Sequence, residues 1–254
     1  MAVQQGPIAF PRPTRVVLRI LIANAALWLV FAVGINLAQI RPLSEVYDLL
    51  TLTPTEVAPG LRLWEVVSYA WLHDLGGLSH ILFNSMALFF LGPALERRWG
   101  GRGFLKFYLL SGIIAGLFSV LVGFLFGGRW DAPIVGASGA IFGLVTAYSL
   151  LMPNAQFLLF FVLPVQAKWL VWISLGLDLL FFIANPQGNV AIQTHLGGAL
   201  AGWLLITQNW NPRIFLPRLK RLFGGGPRRG PPGPGGRAPL YAVPGGKKDR
   251  NLLN

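Results

Sequence analysis

The stretch Phe104–Gly127, FLKFYLLSGIIAGLFSVLVGFLFG, carries no charged side chain after Lys106. A helix that is apolar on every face belongs in a core or a bilayer, and about 20 such residues are enough to cross the hydrocarbon. Five further apolar stretches lie on either side: Val16–Ile40, His80–Arg98, Val135–Met152, Lys168–Ala184 and Val190–Gln208. The whole chain agrees with a bilayer solvent. Of its 254 residues 54% are hydrophobic and 12% are charged, with a mean hydropathy of +0.58, where a soluble domain carries about a quarter charged residues. The expected fold class is therefore all-α, a polytopic membrane protein with six transmembrane helices. The absence of cysteine excludes a disulfide scaffold or a thiolate zinc domain.

Arg12, Arg15 and Arg19 stand at the start of the first stretch, as they would in a signal peptide. Its apolar run is longer than the roughly 7–15 residues of such a segment, so it reads as a retained helix. Pro153–Ala167, apolar but interrupted by Pro164, is too short to span and reads as an interfacial loop.

Lys and Arg set the orientation, because they concentrate on the cytoplasmic side. With the N-terminus inside, all 21 of them fall on the inner side except Arg41, Arg62 and Arg129. The inner set outside the tail is Arg12, Arg15, Arg19, Arg97, Arg98, Arg102, Lys106 and Lys168, so the asymmetry survives without the tail. Both termini are then cytoplasmic, as an even number of crossings requires. Residues 1–15 form a short cytoplasmic segment and 16–209 the membrane domain. Residues 210–254 form a basic Gly/Pro-rich tail (GGGPRRGPPGPGGR) that is expected to be disordered. The net charge of +12 is read as attraction of that tail to anionic membrane lipids rather than to nucleic acid. Arg41–Ser79 is a long outside loop, membrane-associated through Trp64, Tyr69 and Trp71.

Polar side chains inside spans are costly and mark functional positions. They are His80 and Asn84 in the second span, Ser138 in the fourth, Asp178 in the fifth and His195 in the sixth. The second, fourth and sixth spans all enter from outside, which puts His80, Ser138 and His195 at one shallow depth. Taken alone, Ser138 in Gly136-Ala-Ser-Gly139-Ala-Ile-Phe-Gly143 reads as a close-packing residue, and it is not a G-x-S-x-G elbow because Ala140 follows Gly139. At a helix N-terminus, however, unpaired N–H groups favour an oxyanion.

His195 precedes Gly198 and Gly202, which clear one face of its helix for close approach to Gly139 and Gly143. That contact would bring the imidazole to Ser138 as a general base. His80 and Asn84, at i and i+4, share a face and suit oxyanion donation. No carboxylate or second histidine sits at ligand spacing, and HExxH is absent, so no metal is expected. His73, beside Asp74, reads as a loop histidine with a local partner. Asp178 reads as a cap, a partner of a buried polar group, or a residue wetted near the outer half of its helix, and a complete triad is not expected.

Together HILFN (His80 to Asn84), GASGAIFG (Gly136 to Gly143) and HLGGALAG (His195 to Gly202) resemble the rhomboid family of intramembrane serine proteases, over roughly residues 16–209. The resemblance implies a six-helix rhomboid-like bundle and a dyad of Ser138 as nucleophile and His195 as base. It places His80, Asn84 and the Ser138 backbone N–H around the oxyanion. Phe142 matches an aromatic position that stacks on the catalytic imidazole, where the family often has Tyr. Where many members have Trp-Arg in the first loop, this chain has Trp64-Glu65.

The expected activity is hydrolysis of peptide bonds in or near transmembrane segments of other membrane proteins, towards the outer side of a bacterial cytoplasmic membrane. No cofactor is required, and with no acid to orient the imidazole the enzyme is expected to be slow. The competing reading is a rhomboid-like pseudoprotease that binds or escorts membrane clients. A transporter fits less well, because the inner halves of the spans are almost wholly apolar.

Overall fold

The computed structural model describes residues 12–159, 163–184, 192–208 and Trp210. The first helix, α1 (Arg15–Phe31), continues into a π-helical turn, Ala32–Leu37. Its free N-terminal amides are met by a distant carboxylate: Glu96 accepts from Val17 N–H at 2.9 Å, from Val16 N–H and from the Thr14 hydroxyl. A negative side chain there also answers the positive end of the helix dipole.

The outside loop is built of short pieces: α2 (Arg41–Leu50), α3 (Pro54–Val57), α4 (Glu65–Ser68) and a 3-10 turn, Tyr69–Trp71. Glu65, in the position that departs from the Trp-Arg pattern, is fully buried. It ties the loop together by accepting Thr53 N–H at 2.9 Å and lying 3.6 Å from the Arg62 guanidinium. Burial holds its carboxyl above the usual carboxylate range, against the opposing pull of the Thr53 amide and Arg62. Trp64 donates its indole N–H to the Leu49 carbonyl at 2.8 Å.

The 48-residue stretch labelled α5 (Ser79–Phe126) is helical on both sides of a kink at Gly100, where φ is +72° and ψ 159°. That conformation is open essentially only to glycine, and it divides the element into two limbs. A 3-10 turn, Gly128–Asp131, leads to α6 (Ser138–Leu151). Every residue of α6 from Gly139 to Ser149 is buried, so α6 is the central helix against which the others pack.

The segment after α6 departs from expectation. Pro153–Ala167, expected as an interfacial loop of an all-α protein, contains an antiparallel hairpin, β1 (Gln156–Leu159) with β2 (Leu163–Gln166). Pro164, opposite Leu158, is compatible because in a two-stranded ribbon both strands are edges, where a missing N–H costs little. Next come α7 (Ala167–Ala184), in which only Ala167 is buried, and α8 (Ile192–Thr207).

Small residues set the depth of packing. A Cβ at Gly202 would stand 2.5 Å from the Gly143 carbonyl oxygen, and one at Gly198 would collide with the Gly139 carbonyl. The α6 and α8 backbones therefore touch along the glycine face expected from the sequence. On the other side of α6, Ser111 fills the space beside Gly143 and Ala115 that beside Gly139. The seam between α5 and α8 is closed by a hydroxyl pair, Ser119 with Thr194, at 2.7 Å.

The outer surface is apolar, with Ile22, Leu29, Phe124, Trp172 and Phe181 all more than half exposed. Three helices are long and apolar enough to cross a membrane: Arg15–Leu37, Ser79–Phe126 and Ala167–Ala184. The boundaries expected for residues 1–11 and for the tail beyond Trp210 lie outside the described residues.

Candidate active site

Ser138 is the first residue of α6. The turn that delivers it depends on Gly136, whose φ of +126° L side chains rarely adopt. Its N–H donates to the Tyr69 carbonyl at 3.0 Å, and the buried Tyr69 hydroxyl donates to the Gly112 carbonyl at 2.7 Å. The loop, the α6 N-terminus and α5 are thereby fixed to one another. A Cβ on Gly136 would stand 2.7 Å from both Cε1 and Nε2 of His80, so that imidazole lies directly against the Gly136 backbone, one turn from the serine.

Ser138 Oγ is 2.8 Å from His195 Nε2. The imidazole is held from a second side by Phe142, whose ring stacks on it at 4.3 Å and 13°; the two are brought together by the glycine contact of α6 with α8. Its other nitrogen, Nδ1, is 2.7 Å from Asp178 Oδ2 on α7, and both side chains are 15% exposed. Of the readings of Asp178, pairing with a buried polar group is the one the structure shows, and its partner is His195, which the sequence did not identify. The register of α7 against α8 is a tertiary property that helical periodicity within either sequence cannot reveal. The available signal was that Asp178 is the one charged residue between Trp169 and Ala184.

On the opposite side, His80 Nδ1 accepts the Asp74 N–H at 3.3 Å, so a neutral His80 ring carries its proton on Nε2, next to Gly136. Asn84 is buried and donates one amide hydrogen to the His80 carbonyl at 2.8 Å. Its second hydrogen remains for another acceptor. The His80 ring lies against Gly136, just before the helix start at Ser138, and Asn84 lies one turn further along α5 on the His80 side. A serine beside an imidazole, itself oriented by a third group, is the arrangement of an activated nucleophile.

His73 is buried, and its local partner is the Trp71 backbone, which favours the charged ring, although neither ring nitrogen makes a hydrogen bond of normal geometry. The ring lies tilted at 5.4 Å from His80, and its carbonyl accepts the Tyr47 hydroxyl at 2.9 Å. Burial first, and then the neighbouring His80, lower the His73 pKa to about 4. Tyr47 is pushed up to about 12 by burial and by Asp74 and Asp48. Among the described residues no three His, Cys, Asp or Glu side chains come together as a metal site.

A bundle packed on a small-residue central helix, with a serine–imidazole pair at the helix start, defines a membrane-embedded hydrolase-like class. The rhomboid domain model matches residues 60–210, and the chain belongs to the rhomboid family. It is 33% identical over 196 residues to YdcA, a rhomboid-family protein of Bacillus subtilis (strain 168), covering 77% of this chain and 89% of YdcA. It is 32% identical to the rhomboid protease GluP of the same organism, over 55% of this chain and 25% of GluP. With the rhomboid protease AarA of Providencia stuartii it shares 30% identity, over 56% of this chain and 54% of AarA. The chain thus spans most of YdcA, a quarter of GluP and about half of AarA. Family and apolar helices together make it an integral membrane protein, in a family with members named as proteases.

Proposed function

We propose that this protein is an intramembrane serine endopeptidase that cuts other membrane proteins in or near their transmembrane segments. The observation that carries the reading is the 2.8 Å contact between Ser138 Oγ and His195 Nε2 at the start of the buried helix α6. Ser138 gives its proton to Nε2 as Oγ bonds to the scissile carbonyl carbon, and the carbonyl oxygen becomes the oxyanion. His80 Nε2–H, the Asn84 amide and the Ser138 backbone N–H donate to that oxygen. His195 then returns the proton to the leaving nitrogen as the C–N bond breaks. Water attacks the resulting ester by the same route in reverse, releasing the acid and restoring Ser138. No metal or nucleotide takes part in these steps.

Six crossings fit this reading: α1 with its π turn, the two limbs of α5, α6, α7 and α8. The distribution of Lys and Arg supports cytoplasmic termini and a site towards the outer side. Residues 16–209 are then the catalytic membrane domain, and 210–254 a basic tail held near anionic lipid. Substrates are transmembrane proteins that unwind locally at the site, because a helical peptide bond is shielded and hydrogen-bonded. The test is cleavage of a reconstituted single-span substrate in liposomes containing chelator. Cleavage by the wild type, lost in both Ser138→Ala and His195→Ala, is the expected result. Cleavage that persists in Ser138→Ala would overturn the reading.

A further inference from the structure

We propose that Asp178 is a positioning residue for His195, so that the Ser138–His195 pair of this protein works with an orienting acid, as a triad, rather than as a bare dyad. This rests on the protease reading above. Asp178 lies in an otherwise apolar part of α7, Trp169–Ala184, where a carboxylate is costly unless it is partnered. It turns to the one imidazole that also touches the serine, with Oδ2 2.7 Å from His195 Nδ1. Among the described residues His195 is the ion-pair and hydrogen-bond partner of that carboxylate.

The consequence for the imidazole is specific. A carboxylate accepts and does not donate, so Nδ1 must hold the ring proton. Nε2 is then left with its lone pair facing Ser138 Oγ at 2.8 Å, the tautomer that takes the serine proton. When that proton arrives, the ring becomes a cation with an anion already in contact. Phe142, stacked on the ring at 4.3 Å, holds its plane but has no influence on which nitrogen is protonated, so the two neighbours have separate roles. A bare α7–α8 tether would need only a hydrogen bond, whereas tautomer control needs an acceptor.

Asp178→Asn separates the two possibilities, because a carboxamide keeps the size and a hydrogen bond but can donate to Nδ1. In full-length protein we expect kcat to fall by about 10²–10⁴-fold with KM changed less than about threefold, and Asp178→Glu to regain part of the loss. The chain has only three histidines, so ¹⁵N-histidine NMR on wild type, assigned with His73 and His80 variants, reads the His195 tautomer without reference to activity. The expected result is an Nδ1–H ring in wild type and an Nε2–H ring in Asp178→Asn. Wild-type kcat in Asp178→Asn, or an Nε2–H ring in wild type, would overturn the assignment. If Asp178→Asn does not fold, the wild-type tautomer decides. Cleavage surviving in Ser138→Ala would instead remove the protease reading, and the tautomer would still show whether Asp178 orients the ring.

Discussion

At the scale of single residues, the proposed mechanism divides the site into a proton-transfer side and a charge-stabilising side, and each is open to a separate test. Asn84 has one amide hydrogen committed to the His80 carbonyl at 2.8 Å. Its truncation should therefore remove an oxyanion donor and leave the α5 backbone ladder intact. Asn84→Ala is expected to lower kcat by about 10²–10³-fold, about 2.7–4 kcal/mol, with an unchanged melting temperature. Cleavage kinetics at the wild-type rate would remove Asn84 from the oxyanion site.

His73 makes a prediction of opposite kind, in stability rather than rate. Its folded pKa of about 4 lies below the ordinary histidine value of 6.5, so between those limits the unfolded chain binds a proton that the folded protein refuses. Its contribution is complete above pH 6.5 and is lost as pH falls towards 4. By pH 5 the loss relative to pH 7.5 should be about 2 kcal/mol. Denaturation of wild type against His73→Asn at both pH values checks this, the variant losing that much less on acidification. The contact of Ser138 with His195 was readable from residue type and helix phase. Asp178 was not, because nothing in a single span states which neighbour its polar residue will face.

At the scale of elements, the α6–α8 contact decides whether a site exists at all. The spacing of Gly139, Gly143, Gly198 and Gly202 announced that two helices approach closely, and it was legible because a bare face is a property of one helix. Its consequence is visible in the positions a Cβ would take, on the Gly139 carbonyl for Gly198 and 2.5 Å from the Gly143 oxygen for Gly202. Gly198→Ala must therefore push the helices apart, with an overpacking cost of about 1–3 kcal/mol. Both the melting temperature and the rate should fall, since Ser138 and His195 ride on the two helices. A variant of normal stability and rate would show that the contact is looser than described.

The hairpin β1–β2 was not legible. The stretch is too short and too broken by Pro164 to span as a helix, and periodicity in so short an apolar run cannot distinguish an edge ribbon from a loop. The Arg41–Ser79 loop is tied internally by the buried Glu65, which accepts from Thr53 N–H.

At the scale of the whole molecule, bilayer residence followed from composition and run length, because an apolar stretch longer than a turn-limited core helix has few other solvents. What composition could not supply was the way the helices are nested: α6 buried from Gly139 to Ser149, and α7 with only Ala167 buried. The result is Ser138 at the start of the buried helix α6 and the carboxylate that meets its imidazole, Asp178, on the largely uncovered α7. The central claim is that Ser138 is activated by His195. It is tested most directly by reacting the purified full-length protein with a fluorophosphonate and locating the adduct by mass spectrometry. The expected result is a single adduct on Ser138 in the wild type and none in Ser138→Ala or His195→Ala. Equal labelling in Ser138→Ala, or an adduct at another residue, would contradict it.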